Sequence, residues 1–368
     1  MKKVVVIGAG ILGASTAYHL AKEGAEVTIV DRNDIGRATD AAAGIIGPWL
    51  AQRRNMAWYN LARSGARFYP EIIKELAHQG EENTGYSRVG LIALHRSEER
   101  LLAAEERAYT RKVDAPEIGE IKKLSPEETV AMVPLLREDC HSIYVSGAAR
   151  VDGNAVRNAL LRASEKLGAK LVQGNASLIV EQQKNIGVQV DGEKIHADAV
   201  VAATGAWLDD LLKPLDMKLG AYPQKAQIIH LEASHINMDN WPVIMPPNNQ
   251  YILPFDDRII IGATHESAAG FNPNITAGGV HEVLSKAIEV APELADLELK
   301  EIKVGYRPFI PGSLPIIGEL PNYKGLFLAN GLGASGLTIG PYVGRELALI
   351  ALGKYSELNL ADYQMNIL

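Results

Sequence analysis

Cysteine is nearly absent: Cys140 is the single one in 368 residues. That excludes an internal disulfide framework and any zinc or iron–sulfur site built from several thiolates. It also fits a reduced, cytoplasmic setting. Long hydrophobic runs are missing too. Nowhere do eighteen apolar residues follow one another, so no transmembrane helix is expected. Met1-Lys2-Lys3 followed by Val4 to Ile7 has the opening charge of a signal peptide. However, Gly8 breaks the run before an h-region forms, and no cleavage site follows. Peripheral attachment to the inner face of the membrane stays open. Nor is positive charge in excess. A formal charge of −7 argues against nucleic acid as a partner and against an anchor on anionic lipid. Neither a GxSxG elbow nor an HExxH pair occurs, so serine-nucleophile and zinc hydrolysis lack support, and no metal is expected.

What is present alternates between strand and helix. Val4 to Ile7 reads as a strand buried on both faces, Ile11 to Glu23 as a helix, and Glu26 to Val30 as a second strand. Together they form a βαβ unit of about thirty residues, the minimum for a parallel crossover. Further helices are expected over Trp58 to Gln79, Glu98 to Lys112 (charged and solvent-facing), Asn154 to Leu167, Thr276 to Glu289, and from about Pro341 to Leu352. Strands are expected at Leu91 to Leu94, Lys170 to Val172, Ile186 to Val190, Ala199 to Ala203 and Leu326 to Ala329. Between Tyr222 and Thr264 the pattern becomes β-rich, with runs at Gln227 to Leu231, Tyr251 to Leu253 and Ile259 to Ile261. The alternation predicts an α/β protein: a Rossmann-type nucleotide-binding domain (1–85, 146–218 and 300–368) interleaved with a β-sheet-rich substrate domain (86–145 and 219–299).

Gly8-Ala9-Gly10-Ile11-Leu12-Gly13 joins the first strand to the first helix. In such a turn the first glycine bends the chain and the second admits a pyrophosphate. The third lets helix and strand pack closely, while the helix N-terminus faces the phosphates. Asp31 ends the second strand 18 residues after Gly13, where an acid would accept hydrogen bonds from a ribose diol. The motif reads the adenosine half shared by NAD and FAD. Two further features favour FAD. Gly36 to Gly47 (GRATDAAAGIIG) is a small-residue stretch that would let backbone approach a flat, extended ligand. Gly331-Leu332-Gly333-Ala334-Ser335-Gly336 follows a strand and precedes a helix, with too little chain after it for a second βαβ unit. Its N–H groups would suit the electron-rich end of a reduced flavin.

With these pieces the chain resembles the D-amino-acid oxidase superfamily of flavoproteins, nearest to its glycine oxidase and bacterial D-amino-acid dehydrogenase branch. The resemblance rests on GAGILG, on Thr39 to Gly47 (TDAAAGIIG), on Ala203-Thr204-Gly205 and on Tyr251-Ile252-Leu253-Pro254. It continues through Ile261-Gly262-Ala263-Thr264, Gly305-Tyr306-Arg307-Pro308 and the C-terminal GLGASGLTIGP. It implies FAD held by Gly8, Gly10, Ile11, Leu12, Gly13, Asp31 and Arg32, by Thr39, Ala43, Gly44 and Ile45, by Ser177 and Gly205, and by Gly333 to Thr338 (Gly333, Ala334, Ser335, Gly336, Leu337, Thr338). Relatives with covalent flavin use a His just before the early AAG or a Cys near the C-terminus. Here Ala41 precedes Ala42-Ala43-Gly44 and Cys140 is remote, so the FAD is expected to be non-covalent.

The resemblance also implies that Arg307 clamps a substrate carboxylate and that Tyr251 faces the flavin in the pocket. A planar guanidinium suits a carboxylate because it donates two parallel hydrogen bonds. Where glycine oxidase carries His and Arg in its last glycine loop, this chain has Leu332 and Ala334. His265 stands in place of a pocket Met, and Asn249 in place of a His. His265 is therefore a candidate substrate contact. The implied reaction oxidises the C–N bond of a small amino acid or secondary amine by hydride transfer to flavin N5, with no side-chain base required. D-Amino acids, glycine, sarcosine and proline-like amines all fit, as do oxygen, a quinone or a partner protein as electron acceptor. A homo-oligomer, an NAD-dependent dehydrogenase and a non-catalytic flavin-bound subunit of a larger complex stay open.

Overall fold

A computed structural model describes residues 1–53, 55–312 and 314–365. The last three residues of the expected C-terminal segment, with 54 and 313, lie outside the described residues. Six strands form a sheet in the order Ile316–Glu319, Leu326–Asn330, Ala199–Ala202, Lys3–Ile7, Glu26–Asp31, Lys170–Gln173. All neighbours are parallel except the first pair. The four residues Val4 to Ile7 are buried, which explains their unbroken β-branched run: Val4 and Val6 pack against helices on one face of the sheet, and Val5 and Ile7 against a second, antiparallel sheet on the other. An antiparallel three-stranded sheet of Ala176–Glu181, Lys184–Val190 and Glu193–His196 is separate in hydrogen bonding but packs on one face of it, where Ala176, Leu178, Val188 and Val190 share a core with Val5, Ile7, Val200 and Ala202.

The larger sheet has eight strands, in the order Leu299–Phe309, Tyr222–Glu232, Arg258–Gly262, Tyr251–Pro254, Val243–Met245, Leu91–His95, His141–Val145, Ile121–Leu124. Leu299–Phe309 pairs antiparallel with Tyr222–Glu232 along nearly its whole length and forms one edge of this sheet. Its charged first half (Lys300, Glu301, Lys303) belongs to an exposed sheet edge, where alternation is weak.

Two helix readings change. Glu98–Lys112 is charged but not wholly solvent-facing, since Leu101, Ala104 and Ala108 are buried. The last helix spans Gly336–Ala351, so it begins five residues before the expected Pro341. A proline inside a helix leaves the carbonyl four residues earlier without its N–H partner. Here that carbonyl belongs to Leu337, and the Tyr69 hydroxyl donates to it at 2.6 Å. The helix is thus tolerated through a partner 268 residues away in sequence. Gly340 and Gly344 let it press onto the first helix, Ile11–Lys22: a Cβ on Gly344 would lie 2.6 Å from Ser15.

That helix junction contains an acid-sensitive residue. His19 is buried, its Nδ1 donates to the Ser15 carbonyl at 2.7 Å, and its Nε2 has no partner among the described residues. Burial lowers its pKa from 6.5 to about 4. The native state therefore stays unprotonated where the unfolded chain takes up a proton. The stabilisation is complete above about pH 6.5 and is lost as pH falls towards 4, by up to about 3 kcal/mol. Urea midpoints at pH 7 and pH 4.5 should fall further for the wild type than for His19→Gln.

Candidate active site

A single cavity of about 1640 Å³ runs between the two large sheets, from Asp31 and Arg32 at one end to Tyr251, His265 and Arg307 at the other. Ordinary small-ligand pockets hold roughly 300–1,000 Å³, so this one has room for an extended dinucleotide and a substrate. Of the residues expected from sequence, Gly8, Gly10, Ile11, Leu12, Asp31, Arg32, Thr39, Ala43, Gly44, Ile45, Ser177, Gly205 and Gly333 to Thr338 all line it. Gly13 does not. Its role is packing, because a Cβ there would lie 1.8 Å from the Gly8 carbonyl oxygen.

The first strand delivers the chain into the glycine turn with Gly8 at φ +99, a conformation that favours glycine. Asp31 then holds the turn in place. One carboxylate oxygen accepts from Ala9 N at 2.6 Å, and the other from Asn33 N at 2.7 Å. Thr39 Oγ1 accepts from Ile11 N at 3.0 Å, which draws the small-residue stretch over the helix start. Gly44 sits at φ +95 with its carbonyl bonded to Val151 N. Thr338 Oγ1 donates to the Ile45 carbonyl at 2.9 Å, joining the late glycine loop to the early stretch.

This lining fits FAD. Among the described residues, Cβ atoms added at Gly205 or Gly336 would meet nothing within 4 Å beyond their own chain neighbours and helix backbone, so both glycines border open space that a ligand can fill. The first turns of both flanking helices carry no acidic residue, leaving their positive ends for phosphate and for the flavin pyrimidine. The buried Thr204 Oγ1 has no partner among the described residues. Cys140 is buried in a separate core cluster with Ile92, Leu94 and Leu124 and does not line the cavity.

At the other end, Arg307 projects from the edge strand. Its Nη1 donates to His265 Nδ1 at 2.9 Å, to Gln224 Oε1 at 3.3 Å and to the Thr264 carbonyl at 3.4 Å. Arginine only donates, so His265 Nδ1 accepts and its proton sits on Nε2. Gln224 is the cross-strand partner of Arg307, a contact that no local sequence signal announces. Among the described residues no carboxylate pairs with Arg307. Desolvation lowers its pKa, partly offset by Tyr251. Desolvation, then Arg307, also lowers that of His265. Burial pushes Tyr251 up to about 12, so its hydroxyl keeps its proton, and that hydroxyl has no hydrogen-bond partner among the described residues. A desolvated cation without an anion is costly unless a ligand supplies one.

The family model described as "FAD dependent oxidoreductase" (DAO) matches residues 3–350. The chain belongs to this family. FAD is thus its cofactor, and a nicotinamide-dependent enzyme is ruled out as the reading of the glycine turn. The chain is 54% identical over 365 residues to an uncharacterized oxidoreductase, YurR, of Bacillus subtilis (strain 168), covering 99% of this chain and 98% of that one. It is 32% identical to a glycine oxidase of Pseudomonas aeruginosa PAO1, over 98% of each. The crystal structure of iminodiacetate oxidase (IdaA) from Chelativorans sp. BNC1 superposes with a TM-score of 0.95 at 42% identity, covering 98% of each chain. No described helix is long and apolar enough to cross a membrane, and no described cluster of side chains could hold a metal ion.

Proposed function

We propose that this flavoenzyme oxidises the C–N bond of a small amine that bears a carboxylate. The observation that carries the reading is Arg307, a desolvated guanidinium with no acid partner among the described residues, facing the same cavity as the FAD-binding glycines. The glycine oxidase and iminodiacetate oxidase named among its relatives are consistent with such substrates. The FAD is non-covalent on this reading, and residues 1–85, 146–218 and 300–368 supply its domain.

When bound, FAD supplies a two-electron acceptor. Arg307 takes the substrate carboxylate in a bidentate grip, which fixes the α-carbon against rotation. His265 and Gln224 hold the guanidinium in orientation from behind. The Tyr251 hydroxyl, protonated throughout the working pH range, donates to the same carboxylate. The α-hydrogen leaves with its electron pair, and the imine that remains hydrolyses to an oxo acid and an amine. Of the acids that line the cavity, Glu282 is the one whose charge reaches His265, and Lys286 pairs with it at 2.7 Å, so it is not a free carboxylate base. An amine entering neutral needs none, because positioning supplies much of the rate.

The test is anaerobic reduction of the bound flavin by glycine, sarcosine, D-amino acids, proline and iminodiacetate. At least one carboxylated amine should bleach it, and the decarboxylated analogue should react at least about a hundredfold more slowly. If none bleaches the flavin, the chain is a non-catalytic flavin subunit and the proposal fails.

A further inference from the structure

The cavity that Tyr251 lines is also lined by a group of basic side chains to which the substrate oxidation above assigns no part. One wall is the helix Glu98–Lys112, from which Arg100, Ala103, Ala104 and Arg107 line the cavity. Their spacing of i, i+3, i+4 and i+7 places them on a single helical face. Two arginines therefore flank a floor of two alanines, small enough to leave room between them. The adjoining strand Leu91–His95 adds His95, which also lines the cavity.

Charge pairing along the cavity is one-sided. Each acid lining the cavity is engaged by a basic side chain: Asp31 by Arg37, Asp34 by Arg32, Asp210 by Lys213, Glu282 by Lys286. Among the described residues, Arg100 and Arg107 have no such partner. Arg107 is half-buried, and its Nε is sealed from solvent with no acceptor. The Nε2 of His95, itself buried, is in the same condition. A surface arginine without a partner is ordinary. A half-buried one beside a buried histidine, both facing a cavity, is a place for an anion.

The sheet register fixes how far this group lies from the reacting end. Ile244 pairs antiparallel with Ile252, which sets Met245 opposite Tyr251, and Met245 pairs with Ala93. His95 lies two residues further along on the same face. Strand spacings of about 4.8 Å and a rise of about 3.3 Å per residue put His95 roughly 12 Å from Tyr251. That is within the reach of one ligand but too far for a single carboxylate to touch both ends.

We infer that Arg107, with Arg100 and His95, forms a second anion subsite. The substrate is then a dicarboxylic amine: an amino acid whose carboxylate binds Arg307 and whose nitrogen or side chain carries a second carboxylate on an extended arm. This inference rests on the carboxylate-amine reading above and narrows it.

The experiment measures anaerobic flavin reduction of the holoenzyme by N-(ω-carboxyalkyl)glycines, with arms from one methylene to about six, against N-alkylglycines of matched length. In the wild type, the ratio of kcat/KM for the dicarboxylate over its monocarboxylate partner should rise with arm length to a maximum beyond one methylene. Arg107→Gln should lower that maximum by about tenfold or more, while Arg107→Lys should retain most of it. A ratio that ignores arm length, or one that Arg107→Gln leaves unchanged, overturns the inference although the amine chemistry survives. A stripe that merely draws anions inward would favour every dicarboxylate equally, and that outcome also overturns it. If no amine in either series reduces the flavin, the parent reading falls and takes this one with it.

Discussion

Arg307→Gln should lower kcat/KM for carboxylated amines by between about 30-fold and 5,000-fold, with FAD still bound. The range follows from the 2–5 kcal/mol typical of removing one partner of a buried, hydrogen-bonded charge pair. The loss should appear mainly in substrate affinity, because the carboxylate is held in the ground state as well as the transition state. Arg307→Lys should recover only part of it, since an ammonium keeps the charge but not the two-pronged geometry. Stability provides a second readout. Arg307 is desolvated with no acid beside it among the described residues, so removing it should leave the unfolding midpoint unchanged or higher. A purely structural arginine would do the reverse. Retained affinity for the carboxylated amine in Arg307→Gln would show that the clamp lies elsewhere.

Gly13→Ala should produce a protein without flavin. The added Cβ would fall 1.8 Å from the Gly8 carbonyl oxygen and 3.3 Å from the Ala203 Cβ. The first of these is backbone, so no side-chain rotation relieves it. The first helix must withdraw from the first strand, at about 3 kcal/mol or more, and the N–H groups that face the pyrophosphate withdraw with it. The informative control is Gly336→Ala. There, among the described residues, the new Cβ meets nothing within 4 Å beyond its own chain neighbours and helix backbone, so the fold should keep its stability while FAD affinity falls. Flavin absorbance after dialysis, together with thermal unfolding of each variant, separates the two. Equal flavin retention in wild type and Gly336→Ala would mean that this glycine does not border the cofactor.

The sequence was most informative where a function depends on neighbouring residues. The first strand, the turn at Gly8 to Gly13 and the helix after it lie within one residue of their expected places. Burial on both faces requires a β-branched run, and a pyrophosphate requires glycine where a side chain would intrude. The late glycine loop was legible for the same reason, but its helix was not. Pro341 looked like a helix start, and only Tyr69, arriving from another helix to occupy the Leu337 carbonyl, allows the helix to begin at Gly336. The edge strand holding Arg307 was similarly hidden, because it opens on the exposed residues Leu299, Lys300 and Glu301.

The amino-acid sequence by itself pointed to the cofactor, and its resemblance to a known family supplied Arg307 as the proposed clamp. The spacing of glycines, small residues and Asp31 is imposed by the shape of the dinucleotide, and Arg307 stands in a motif that resemblance could read. What only the tertiary structure decided is the company those residues keep. Gln224 and His265 reach Arg307 across strands, and among the described residues no acid does. The stripe from Arg100 to Arg107 shares a cavity with Tyr251 only because the strands between them set the register. Local sequence records which side chains are available, whereas pairing, burial and the lack of a counter-ion depend on segments hundreds of residues apart.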